Sequence, residues 1–171
     1  MKYIFDFDDV LFNTTELKEK IFFTLEKIGV SRNLTREYLE KERWNRFSLK
    51  KMLAHFSIKE SLYEEIMGEC KNFINEELFK IVKKINKADC FIITYGDEEF
   101  QQDKIKRTGI TPFFSKIIIV LESKKEIIEK ICAKYKDEKV VFIDDKIKHF
   151  ENLDFKKYPN LKTILYTGQS V

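Results

Sequence analysis

Five short apolar runs, separated by longer segments with helical spacing, constrain the fold of this 171-residue chain most strongly. A short apolar run bounded by polar or turn residues is typical of a strand that is buried on both faces, as in a parallel sheet. Strands of this kind that alternate with helices predict an α/β fold with a doubly wound parallel sheet. The predicted strands are the first residues up to the acidic stretch Asp6–Asp9, then Asp89–Tyr95, Lys116–Leu121, Lys139–Ile143 and Leu161–Tyr166.

The first strand ends in three carboxylates, Asp6, Asp8 and Asp9. Open α/β sheets bind ligands just outside the carboxyl ends of their strands. Alternate residues of a strand share a face, so Asp6 and Asp8 are expected to point into one site. Two carboxylates that lie this close repel each other unless a cation or a proton joins them.

A helical block is predicted between the first two strands, where no convincing strand pattern occurs. The core then consists of residues 1–13 and 75–171, and the block spans 14–74. The first predicted helix of the block is capped by Thr14 or Thr15 and stops near Gly29. The second spans 35–47 and the third runs from Ser48 to Phe56. A capping box at Ser57–Glu60 is expected to open the fourth. The core helices are predicted from Asn75 to Ile85, from Asp97 to Gly109, from a capping box at Ser123–Glu126 to Tyr135, and over about 147–157.

Right-handed crossovers between parallel strands are expected to bring Asp6, Thr94 and Asp144 to the same edge of the sheet. Lys124 opens the helix after the third strand, and Asp145 follows Asp144. Clustered carboxylates suit a hard cation such as Mg²⁺. A carboxylate can also act as a nucleophile, and a hydroxyl and a lysine can bind phosphoryl oxygens as charge shifts. These residue types together are chemically coherent for phosphoryl chemistry.

Composition narrows the class of protein. The net charge of +3 is spread along the chain without a basic arm, so a nucleic-acid partner is not expected. The three cysteines are far apart and lack CxxC spacing, which indicates reduced thiols in a cytoplasmic protein. The apolar run Ile117–Leu121 is far too short to span a membrane.

The sequence resembles the haloacid dehalogenase-like hydrolases over about 1–13 and 75–171. Asp6-Phe-Asp-Asp-Val10 resembles their first motif, DxDx[TV], and Thr94 in Ile-Ile-Thr-Tyr-Gly96 resembles the second. Lys124 in Ser-Lys-Lys-Glu-Ile127 resembles the third, and Phe142-Ile-Asp-Asp145 resembles the fourth. All four motifs occur in the family's order.

The resemblance implies a role for each motif. Asp6 would be the nucleophile that attacks phosphorus, and Asp8 would be the general acid and base. Asp6, the backbone carbonyl of Asp8 and an acid of the fourth motif would hold Mg²⁺. Thr94 and Lys124 would bind the phosphoryl group, and the block at 14–74 would be a small helical cap of the family's C1 type. The implied activity is Mg²⁺-dependent hydrolysis of a phosphate monoester of a small metabolite.

Three details stay open on the sequence alone. Asp9 stands where the family usually has glycine, and its side chain could crowd the turn or cap the next segment of the chain. Lys125 fits the third motif nearly as well as Lys124 does. Asp144 and Asp145 are both possible metal ligands, and the commoner Gly-Asp form of the motif favours Asp145 as the direct one.

Other classes of function are compatible with parts of this pattern. A mutase of the same family would pass the phosphoryl group to a second substrate hydroxyl. A phospho-acceptor signalling domain also uses acids, a threonine and a lysine on a parallel sheet, and a silent family member would only bind its ligand. We expect a monomer, although no sequence feature specifies the oligomeric state or the substrate.

Overall fold

The computed structural model describes residues 1–42 and 46–168. Within them lies one five-stranded parallel sheet with the strand order β3-β2-β1-β4-β5, which confirms the predicted α/β fold. The strands are β1 Lys2–Phe5, β2 Cys90–Tyr95, β3 Lys116–Val120, β4 Val140–Asp144 and β5 Leu161–Leu165.

The central strand β1 is buried on both faces, as its apolar sequence predicts. Ile4 belongs to a cluster of buried side chains on one face of the sheet, and Phe5 belongs to a second cluster on the other face. Phe5 lies opposite Ile92 of β2 and Ile143 of β4. This register brings the carboxyl ends of the three strands to one edge of the sheet.

Between β1 and β2, the described residues 14–42 and 46–73 form helices and the turns that join them. No β-strand occurs among these described residues. The α-helices in the described part of the chain are α1 Thr14–Lys27, α2 Arg32–Lys41, α3 Leu49–His55, α4 Ser61–Met67, α5 Glu76–Val82, α6 Glu98–Thr108 and α7 Lys125–Lys134. The end of the predicted helix over 35–47 lies partly outside the described residues. The two ends of the block are tied together, since the Asn13 amide donates to the Phe73 carbonyl at 2.7 Å and the Asn75 amide donates to the Leu11 carbonyl at 2.9 Å.

Apolar side chains of this block share a core with one face of the sheet. Ile21 of α1, Met52 of α3 and Ile66 of α4 are fully or almost fully buried in the same cluster as Phe5 and Phe7. Burial of such a side chain contributes about 1.5–3 kcal/mol to folding. The helical block is therefore packed against the strand end that carries the acidic stretch.

Two predicted helix starts in the block are wrong. The N-cap of α1 is Asn13, whose Oδ1 accepts from the Glu16 amide at 3.1 Å, instead of Thr14 or Thr15. Ser57 does not open α4, because its φ of 55° lies in the left-handed region and its amide donates back to Ala54. An N-cap residue has extended backbone angles, so Ser57 ends α3 and the predicted capping box does not form.

Two predictions in the second half of the chain also need correction. Ser123 accepts from the amide of Lys125, two residues on, so it forms a tight local turn instead of the predicted capping box. The predicted helix over 147–157 is reduced to a 3₁₀ turn at Ile147–His149. The Asp154 carboxylate accepts from the Lys157 amide at 2.9 Å, a local hydrogen bond that competes with helix formation.

Cys70, Cys90 and Cys132 are buried, and none of them forms a disulfide. None of the helices in 1–42 and 46–168 combines the length and the apolar character that a membrane crossing requires.

Candidate active site

Asp6 and Asp144 lie side by side at the carboxyl edge of the sheet. The Asp6 amide donates to the Ile143 carbonyl at 2.9 Å, which extends the β1–β4 pairing by one residue beyond the strand. Asp6 is 3% exposed and Asp144 is fully buried. The sheet register therefore places two carboxylates where water does not reach them, so a nearby positive charge or a proton must balance their negative charges.

Lys124 supplies that compensation. Its Nζ lies 2.7 Å from Oδ2 of Asp6 and 2.6 Å from Oδ2 of Asp144, and its side chain is only 3% exposed. Lys125, the alternative in the sequence, has a side chain that is 44% exposed and lies near Glu129. The structure thus brings Lys124, and not Lys125, into contact with the two acids.

The two carboxylates differ in their pKa. Burial raises the pKa of Asp6 to about 6, against the opposing charge of Lys124 and with the added repulsion of Asp144. Burial would also raise the pKa of Asp144, but hydrogen bonding from His149 and the charge of Lys124 lower it to about 2. Asp144 therefore stays ionised, and Asp6 is the carboxylate whose charge the site tolerates least.

His149 is a third member of this group. Its Nδ1 lies 2.8 Å from both carboxylate oxygens of Asp144, and the Lys146 amide donates to Asp144 Oδ1 at 2.9 Å. The 3₁₀ turn that follows β4 directs the His149 ring to the buried acid. Asp145 lies apart from this contact and pairs with Lys146 at 3.1 Å.

Asp8 is held by a different set of side chains. β1 ends at Phe5, so strand alternation does not extend to Asp8. Its Oδ1 accepts from Lys104 Nζ at 2.5 Å and from Thr14 Oγ1 at 3.2 Å, and its Oδ2 accepts from Gln101 Nε2 at 2.6 Å. Burial would raise the pKa of Asp8, but the Lys104 ammonium and the hydrogen bonds from Gln101 and Thr14 hold it below its usual value.

Asp9 forms the turn that leads away from the acidic stretch. Its φ is 58°, a left-handed conformation that favours glycine and that aspartate tolerates better than most residues. Its Oδ1 accepts from the Thr14 amide at 3.2 Å, in the first turn of α1. Asp9 therefore fills a position that suits glycine, and its carboxylate caps the start of α1.

Thr94 carries a polar atom without a partner. Its Oγ1 is buried and makes no hydrogen bond with any described residue. A buried hydroxyl without a partner costs about 1–3 kcal/mol, so this atom is available to a ligand at the strand edge.

The donor set of the site suits a divalent cation. Asp6, Asp144 and His149 each offer a donor atom, and these atoms lie within 4.8 Å of one another. Carboxylate oxygens are the ligands that Mg²⁺ prefers, and Mg²⁺ is usually bound by one or two carboxylates together with substrate phosphate. The two buried acids therefore fit Mg²⁺, although Asp145 and the Asp8 side chain pair with lysines outside this tight group.

Lys104 and Gln101 were not predicted from the sequence. They are separated by three positions in α6 and lie on its buried face, where a regular helix would carry apolar residues. The sequence signal that could have found them is a pair of polar residues at positions of an amphipathic helix that face the core. Asp8 was identified, but its partners come from a helix 93 and 96 residues further along the chain.

Comparison with known proteins identifies the family. The sequence profile of the haloacid dehalogenase-like hydrolases matches residues 3–152. The chain belongs to this family. A search of the curated proteins finds no match.

Solved structures of haloacid dehalogenase-like hydrolases share the fold. One from Burkholderia xenovorans superimposes with a TM-score of 0.70 at 17% identity, covering 95% of this chain and 80% of the other. A Thermotoga maritima protein described as a candidate β-phosphoglucomutase gives 0.60 at 17% identity, covering 100% and 88%. The candidate hydrolase YfnB from Bacillus subtilis, bound to magnesium, gives 0.58 at 16% identity, covering 95% and 84%. At these low sequence identities the structural similarity shows a common fold alone.

Proposed function

We propose that this hydrolase is a Mg²⁺-dependent phosphomonoesterase that acts on a small phosphorylated metabolite through an aspartyl-phosphate at Asp6. The observation that carries the proposal is the grouping of a buried carboxylate, a buried ammonium and an unpartnered hydroxyl at one strand edge, formed by Asp6, Lys124 and Thr94. A nucleophile, a counter-charge and a phosphoryl-oxygen donor are the three parts that such a reaction needs.

In the first step a carboxylate oxygen of Asp6 attacks phosphorus, the bond from phosphorus to the substrate oxygen breaks, and the leaving alcohol takes a proton. Thr94 Oγ1 donates a hydrogen bond to a phosphoryl oxygen, which satisfies its buried hydroxyl. Lys124 offsets the negative charge that Asp6 and the phosphoryl group bring together. Such fixed charges stabilise the transition state most in a site that excludes water.

In the second step water attacks the phosphorus of the aspartyl-phosphate and gives a proton to Asp8, which regenerates Asp6 and releases phosphate. When the leaving group requires a proton, Asp8 supplies it in the first step, after taking that proton up from water, because its lowered pKa leaves it ionised at rest. Asp6, the Asp8 carbonyl and an acid of the Asp144–Asp145 pair would hold Mg²⁺. When bound, the ion draws the phosphate to the carboxylates and neutralises their charge.

We further propose that the helical block at 14–74 acts as a cap over this edge of the sheet. Its first helix carries Thr14, whose hydroxyl donates to Asp8. Such a cap would exclude water and select the substrate.

Hydrolysis of p-nitrophenyl phosphate by the purified protein tests the proposal. We expect turnover with Mg²⁺, none with EDTA, and none in Asp6→Asn, while the exposed Asp137→Asn serves as a matched control with wild-type activity. Turnover in Asp6→Asn, or turnover unaffected by EDTA, would refute it. Transfer of the phosphoryl group to an added sugar instead of water would indicate a mutase.

A further inference from the structure

We infer that Lys104 and Gln101 form a clamp that positions Asp8 as the base of the second step. The inference rests on the proposed function and adds two positioning residues to it. Lys104 and Gln101 both come from α6 and are 2% and 4% exposed. They hold opposite oxygens of the same carboxylate, so they restrict both its rotation and its tilt.

The hydrogen-bond count of Asp8 shows what this clamp leaves free. An ionised carboxylate offers about four acceptor positions, two on each oxygen. Oδ1 accepts from Lys104 and Thr14, and Oδ2 accepts from Gln101. Within residues 1–42 and 46–168 no other hydrogen bond reaches this carboxylate, so one acceptor position remains on Oδ2, and the side chain is still 21% exposed. The clamp therefore presents a single lone pair to a water molecule at the strand edge.

Lys104 is itself confined by its surroundings. Its Nζ lies 5.0–5.4 Å from the ring centroids of Phe7, Phe12 and Phe100. Rings at this distance attract a cation, which favours the place that the ammonium occupies beside Asp8. The three rings and the Asp8 carboxylate together surround the ammonium with favourable contacts.

The helix that carries the clamp is anchored from its other side by the helical block. Tyr63 Oη donates to Asp103 Oδ2 at 2.7 Å, and the Arg107 guanidinium donates to both Glu64 oxygens at 2.9 Å. Lys50 pairs with Glu99 at 2.6 Å. Contacts along most of the length of α6 thus fix the backbone from which Lys104 and Gln101 extend.

The test measures how much phosphoenzyme accumulates during turnover of p-nitrophenyl phosphate. Nitrophenolate leaves without a proton, so only the second step depends on Asp8. Acid quench during steady state, followed by intact-protein mass spectrometry, gives the fraction of enzyme that carries a phosphoryl group. Asp8→Asn calibrates the signal, since it removes the base. Unfolded protein carries no phosphoryl group and can only lower this fraction, so poor folding cannot produce the rise that is expected here.

We expect Lys104→Met to slow dephosphorylation about tenfold, a part of the full effect of a general base, and to raise the phosphoenzyme fraction accordingly. Lys104→Arg restores a cation and should recover part of the rate. Gln101→Leu should act in the same direction with a smaller effect, and it keeps the ion pair if Lys104→Met does not fold. Lys106→Met, an exposed lysine of the same helix, is the matched control and should match the wild type.

A wild-type phosphoenzyme fraction in both Lys104→Met and Gln101→Leu would overturn the clamp. So would equal accumulation in Lys104→Met and Lys104→Arg, because the cation would then have no role. Failure of the proposed function has a different signature, since Asp8→Asn would then accumulate no phosphoenzyme or Asp6→Asn would still turn over.

Discussion

Replacement of Lys124 by methionine tests the electrostatics of the site without any substrate. The change keeps most of the apolar volume and removes the ammonium that lies 2.7 Å from Asp6 and 2.6 Å from Asp144. Both carboxylates have side chains that are at most 5% exposed, so neither can turn to water for compensation. Loss of one partner of a buried ion pair costs about 3–5 kcal/mol, a large share of the roughly 5–15 kcal/mol that stabilises a domain.

The cost should depend on pH with a definite sign. Burial already raises the pKa of Asp6 to about 6 with Lys124 in place, and without the ammonium it rises further. An acid whose folded pKa lies above its unfolded value binds more protons in the native state, so stability falls as pH rises through that window. Lys124→Met should therefore be most destabilised at pH 7 and recover part of the loss at pH 5, where Asp6 takes up a proton.

Urea denaturation followed by circular dichroism, at both pH values and without Mg²⁺, measures this effect. Lys125→Met is the matched control, because its side chain is 44% exposed and its loss should cost no more than about 0.5 kcal/mol. A loss below about 1 kcal/mol in Lys124→Met at pH 7 would refute the reasoning. A loss of the same size at pH 5 would refute the pH argument.

The remaining predictions concern the turn at Asp9, the glycine after β2 and the buried thiols. Asp9→Val should cost about 1–3 kcal/mol in urea denaturation, because a β-branched residue is strained at φ 58°, whereas Asp9→Gly should lose only the hydrogen bond to the Thr14 amide. Gly96→Ala would place a Cβ 2.8 Å from Gln101 Nε2, so the displaced amide should raise the phosphoenzyme fraction as Gln101→Leu does, and an unchanged fraction would contradict this. Burial raises the pKa of all three cysteines to about 11 from 9.0, which leaves roughly 100-fold less thiolate at pH 8. The thiols should therefore react slowly with a disulfide reagent in the native protein and rapidly in guanidinium; rapid native reaction would contradict their burial.

The sheet was predictable because each strand is a separate apolar run with polar residues at its end. Asp6, Thr94 and Asp144 each lie at or just after the carboxyl end of a strand. In a parallel sheet these ends lie at the same edge, so the order of strands and helices already brings the three residues together. Two core helices were also correctly predicted to begin at Asn75 and Asp97, and each of these side chains accepts from an amide three residues on. These features depend on local patterns and on the geometry common to all parallel sheets.

The parts that the sequence did not predict depend on long-range side-chain contacts or on backbone conformation. The preference for Lys124 over Lys125 is decided by which side of the first turn of α7 faces Asp6. His149 reaches Asp144 because the chain forms a 3₁₀ turn where a longer helix was predicted. Lys104 meets Asp8 across 96 positions of the chain, and Ser57 takes a left-handed conformation that its residue type does not suggest.

The central claim is that Asp6 carries a phosphoryl group during the reaction, and peptide mapping of the quenched enzyme tests it most directly. Asp8→Asn is mixed with p-nitrophenyl phosphate and Mg²⁺, quenched in acid, digested and sequenced by mass spectrometry. We predict one phosphoryl group on Asp6, released by hydroxylamine as an acyl phosphate is, and none when Asp6→Asn is added to the same chain. Hydrolysis by the wild type with no modified Asp6, or a phosphoryl group on another residue, would contradict the account.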